Sequence, residues 1–133
     1  MTKLIPFVFL LLFGACVSNT DISPNQEISL KAGDESSFVL NNQKITFKVQ
    51  EILDSRCPEG VQCIRAGEAI VKFDISIEKE NYSSQEICLQ CGEIEDIPDI
   101  LQLGSHTLQL KEVNPNPTTK NQNDIKSAIF VFK

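Results

Sequence analysis

Cys57, Cys63, Cys88 and Cys91 are the residues of this chain whose type and spacing most directly suggest chemistry. Thiolates hold metals, exchange with disulfides, or close into structural staples. Cys88-x-x-Cys91 has the spacing of half a zinc ribbon, but Cys57-x5-Cys63 is looser than the usual other half. A redox pair normally sits at the start of a helix, whereas Cys88 and Cys91 end an apolar alternating run. Four cysteines left after one is set aside as a lipid acceptor favour a disulfide framework with three possible pairings. Closeness in sequence favours Cys57–Cys63 with Cys88–Cys91. Bonds between strands, Cys57–Cys88 or Cys63–Cys91, would close longer loops. In an ideal strand Cys88 and Cys91 point to opposite faces, an objection that a turn at Gln90-Cys91-Gly92 removes.

Other chemistry-bearing residues are few. Asp54 and Arg56 flank the first cysteine as a ligand-binding pair or a hydrogen-bonded clasp, and the clasp is the expectation. His106 is the only histidine and has no nucleophile motif around it. Glu93, Glu95, Asp96 and Asp99 lack the alternating pattern of a calcium loop and read as a solvated acidic segment. No glycine loop for phosphate and no dinucleotide fingerprint occurs. No catalytic residue, metal ligand or cofactor is therefore expected. A hydrolase assembled from distant carboxylates would have no local motif to mark it.

The fifth cysteine stands elsewhere. Met1-Thr2-Lys3 begins with a positive charge, and Leu4 to Ala15 is almost wholly apolar. A membrane span needs roughly 20 such residues, so this run fits the core of a secretion signal better. Phe13-Gly14-Ala15-Cys16 resembles a bacterial lipoprotein lipobox, with Phe13 where Leu is usual. The resemblance implies cleavage before Cys16 and lipidation of its sulfur and amine, palmitate included, a multi-chain anchor of the stable kind. Val17 is not the Asp that retains enterobacterial lipoproteins in the inner membrane, which implies the outer membrane. The expected organisation is a signal peptide at 1–15, a flexible tether at 16–26, and one domain at 27–133.

Composition narrows the partners. The formal charge of −6 argues against nucleic acid, which needs a basic patch. With no Trp and one Tyr, the chain has little material for an aromatic stacking platform.

Short strands must position the cysteines. Glu27 to Leu30 and Ser36 to Leu40 are followed by Asn41-Asn42, a pair suited to a hairpin turn. Ile45, Phe47, Val49 and Leu53 fall on one face of the next strand, with a phase break at Glu51-Ile52 that predicts a bulge or a change of sheet. Asp54 to Glu68 is a turn-rich crossover. Ala69, Val71, Phe73, Ile75 and Ile77 then alternate, interrupted only by Ile70, a two-residue period that only a strand fits. Asn81 to Ser84 reads as a turn, Gln85 to Cys91 as a strand, and Glu93 to Leu101 as a loop with one helical turn. Ser105 to Val113 and Ser127 to Lys133 complete the set, separated by Pro115-Asn116-Pro117 and a polar loop. Six or seven strands with turn signals about every ten residues predict an all-β antiparallel sandwich of Ig-like or Greek-key type, with a small barrel as the alternative.

Asp54-Ser55-Arg56-Cys57-Pro58, four residues, then Cys63 and Ala66-Gly67 resemble a signature of an uncharacterised family of bacterial lipoproteins, D-S-R-C-P-x4-C-x-W-A-G. Arg65 stands where that family has Trp. Pro115-Asn116-Pro117 matches its late Pro-x-Pro, with Asn116 where an aromatic is common. The resemblance covers the chain from about Leu30 onward and implies fold and location but no activity. The resulting expectation is an envelope lipoprotein that binds a protein or glycan without catalysis. The rival is an envelope metal or thiol-redox protein using the four cysteines.

Overall fold

The computed structural model describes residues 20–92 and 96–133. Cys16, the lipobox-like run before it, Glu93 and Glu95 lie outside the described residues. Nine strands run in order: β1 (Thr20–Asp21), β2 (Glu27–Lys31), β3 (Glu35–Leu40), β4 (Gln43–Asp54), β5 (Ala69–Ile77), β6 (Glu80–Leu89), β7 (Ile100–Leu103), β8 (His106–Asn114) and β9 (Ser127–Phe132). They form a five-stranded sheet in the order β1-β3-β4-β5-β6 and a four-stranded sheet in the order β2-β9-β8-β7. Every pairing is antiparallel except that of β1 with β3. The chain is an all-β sandwich, and among the described residues there is no helix.

Alternation explains why the sheets meet. Ala69, Val71, Phe73, Ile75 and Ile77 of β5 are all buried, while the residues between them are half-exposed. Facing them, Ala128, Phe130 and Phe132 of β9 are fully buried. Phe47 of β4 joins the layers, with its ring centroid 5.1 Å from Phe73, 4.7 Å from Phe130 and 5.9 Å from Phe132. These edge-to-face contacts add roughly 0.5–1.5 kcal/mol per pair beyond the area they bury.

Several expectations change. The predicted phase break is a bulge between Val49 and Glu51. The extra residue moves Ile52 onto the core and turns Leu53 outward, so Leu53 does not share the face of Ile45, Phe47 and Val49. Asn81 to Ser84 is part of β6; the reversal comes earlier, with Glu78 at a φ of 54°. Ser84, also at 54°, sits where the β5–β6 register slips, so the turn-like composition marks a bulge. Ile100 and Leu101, expected to end a loop with a helical turn, instead begin the edge strand β7. Thr20–Asp21, placed in the flexible tether, pairs with Phe38 and Val39. Ile22 beyond it packs on the core, and the Asn25 amide donates to the Phe132 carbonyl at 2.8 Å.

Candidate functional site

The crossover between β4 and β5 continues their hairpin past the sheet. The Ser55 amide donates to the Glu68 carbonyl at 2.8 Å, and the Cys57 amide to that of Ala66 at 2.7 Å. Gly67 permits this approach. Its φ is 73°, and a Cβ there would overlap the Ser55 carbonyl oxygen. Beyond Ala66 the loop is closed by the Cys57–Cys63 disulfide, with Cα atoms 6.0 Å apart.

Beneath the loop lies the clasp. Arg56 presents the Nε and Nη2 edge of its guanidinium to Asp54, both bonds at 2.8 Å. Nη2 also donates to the Val113 carbonyl at 2.8 Å, and Nη1 to Asn116 Oδ1 at 3.2 Å. Lys126 adds a second cation: its Nζ lies 3.4 Å from Asp54 Oδ2 and donates to the Pro115 carbonyl at 2.8 Å. All three side chains are largely buried, Arg56 with 8% and Asp54 with 4% exposed. Burial pushes the Asp54 carboxyl upward, but the hydrogen bonds and charge of Arg56, with Lys126, outweigh it and hold the group below its ordinary value. These contacts bind the crossover to the Pro115-Asn116-Pro117 loop. The Glu59 amide reinforces that join by donating to the Pro117 carbonyl at 2.9 Å.

Cys88 and Cys91 form the second disulfide, with Cα atoms 5.8 Å apart. The strand ends at Leu89, and Gln90 and Gly92 take φ values of 69° and 61°, which supplies the turn the pairing requires. The four cysteines are thus divided into two bonded pairs. Among the described residues no group of three or more His, Cys, Asp or Glu side chains is placed to hold a metal. His106 is buried at the far end of the sandwich, its Nε2 at 2.6 Å from Gln43 Oε1. Asp96 and Asp99, ahead of β7, are exposed.

No motif in the sequence marks Lys126, a single cation in a polar stretch whose partners come only with the fold. Nor does the sequence mark the apolar side chains at this end. Val61 and Ile64 in the stapled loop are exposed, Ile64 fully, and so are Leu53 before the loop and Ile125 before β9, the last at 73%. Ile100 is the remaining large exposed apolar residue among those described. The turns of the opposite end, at Asn41-Asn42, Glu78-Lys79 and Gly104-Ser105, hold none. No protein-family model matches the chain, and neither does a curated protein or a solved structure.

Proposed function

We propose that this chain is a cell-envelope lipoprotein, anchored through Cys16 in the outer membrane, whose sandwich is a non-catalytic binding module. Its stapled loop would present Val61 and Ile64 to an apolar pocket of another envelope protein. The observation that carries this reading is the collection of exposed apolar side chains at one end of the sandwich, around a loop stiffened by a disulfide and a buried ion cluster. Exposed apolar residues gathered in one region, as opposed to scattered singly, mark interaction surfaces. A loop held rigid loses little entropy on docking. The anchor is supported by the residues at 13–16 alone.

The metal or redox alternative has less support, because both cysteine pairs are already joined.

Two experiments test the two halves. Mass spectrometry of the mature protein should find acyl chains on Cys16, and Cys16→Ser should release the protein from membranes; an unmodified Cys16 would remove the anchor. A photoreactive residue placed at position 64 should give a discrete crosslinked partner in cells, while the same residue at position 42 should not. Equal or absent crosslinking from both positions would refute docking by the loop.

A further inference from the structure

The clasp leaves one donor unused. Arg56 has five N–H groups. Two go to the Asp54 side chain, one to Val113 and one to Asn116. Among the described residues the second hydrogen of Nη1 has no acceptor. Arg56 is more than nine-tenths buried, yet it lines two adjoining clefts of about 330 Å³ and 310 Å³. Both clefts also share Gln90 and Asn116. The first disulfide's loop, the turn of the second, and the Pro-x-Pro loop therefore wall a single depression around one buried cation.

The lining selects the ligand. Glu59 borders one cleft and Glu112 with Lys111 the other; Arg56 is already paired with Asp54 and Lys111 with Glu27, so the two carboxylates add negative charge to the lining. Asn116 Nδ2 faces Glu59 at 3.5 Å, and Glu112 accepts from Asn114 Nδ2 at 3.0 Å. A free anion would meet Arg56 only by passing two carboxylates on a chain of net charge −6. A hydroxyl has no such conflict: it accepts from Nη1 and donates to a carboxylate or an amide oxygen. Arginine, amides and carboxylates converging on one open cleft, with Leu89 and Pro117 as apolar surface beneath, form a lining for vicinal hydroxyls and C–H faces.

We propose that the cleft over Arg56 is a saccharide site, in which the unused Nη1 hydrogen of Arg56 donates to a sugar hydroxyl between Gln90 and Asn116. This site stands apart from both the Cys16 anchor and docking by the loop tip.

The test uses the exported chain carrying Cys16→Ser. Side-chain NMR signals of Arg56, Gln90 and Asn116 are followed while chitobiose or cellobiose is added, with acetate and inorganic phosphate as rival probes. Saturable shifts of these three with a disaccharide support the site. Gln90→Gly, which removes the amide and suits the positive φ, should weaken that binding at least about tenfold with the fold intact. Ile64→Asp should leave it unchanged. Absence of shifts with either disaccharide, stronger shifts with acetate or phosphate, or binding untouched by Gln90→Gly would each overturn the proposal.

Discussion

Arg56 and Asn116 meet across sixty residues of chain, Nη1 donating to Oδ1 at 3.2 Å. The contact links the end of the β4–β5 hairpin to the end of the β8–β9 hairpin, and so ties one sheet to the other at the rim. The Phe47 cluster holds the layers face to face; the Arg56 clasp decides how their loops lie.

Arg56→Leu is expected to cost about 3–5 kcal/mol, because it leaves the buried Asp54 carboxylate with only Lys126 and the backbone amide of residue 56 beside it. Arg56→Lys should recover only part of that, since an ammonium cannot reproduce the two-pronged bond to Asp54 while also reaching Val113 and Asn116. Urea unfolding midpoints of the two variants measure the difference.

Stability should also depend on acid in a defined direction. Asp54 is held below its ordinary value in the folded state, so the unfolded chain takes up this proton first as pH falls. The contribution is complete above the unfolded-state carboxylate pKa and is lost as pH drops through the folded-state value. Unfolding midpoints between pH 6 and pH 2 should fall for the wild type, and Asp54→Asn should flatten that part of the curve while lowering the neutral plateau.

Gly67→Ala should destabilise more than Gly60→Ala. Both glycines have positive φ, for which an L residue costs about 1–2 kcal/mol. Only at Gly67 would the new Cβ collide with backbone, at the Ser55 carbonyl; nothing lies near Gly60. Thermal midpoints of the two variants, compared directly, test the ranking.

Each disulfide closes a small loop and should contribute about 2 kcal/mol in the chain-entropy model. Cys57→Ser/Cys63→Ser should also lose protection from hydrogen exchange at the amides of residues 59–64, while the β5 amides stay protected up to global unfolding. Uniform loss across β5 would mean that the staple supports the whole sandwich.

Much of this fold was legible because a strand buried on one face writes itself as alternation. The β5 run from Ala69 to Ile77 is the clearest case, and Asn41-Asn42 takes the positive φ its composition implies. Legibility fails where backbone geometry departs from the simple period. The bulge after Val49 was foreseen, but its effect on Leu53 depends on which residue is left unpaired. At Asn81 to Ser84, polar residues were read as a turn when they cover the outside of a strand near the sheet edge. The candidate site was half legible. Asp54 and Arg56 are two residues apart and announce a local clasp, whereas Lys126, Asn116 and Val113 join only through the return of the other sheet.

The two-residue pairing of β1 with β3 has a mechanical consequence. Any load on the chain ahead of Thr20 reaches the sandwich first through that pairing, the Ile22 contact and the Asn25–Phe132 bond, before it reaches the five-residue β2. Those joins should slip before either sheet opens. Their release would free residues 20–26 and lengthen the lead by about 25 Å, a fuse that spares the core when the domain is pulled away from whatever holds its N-terminal end.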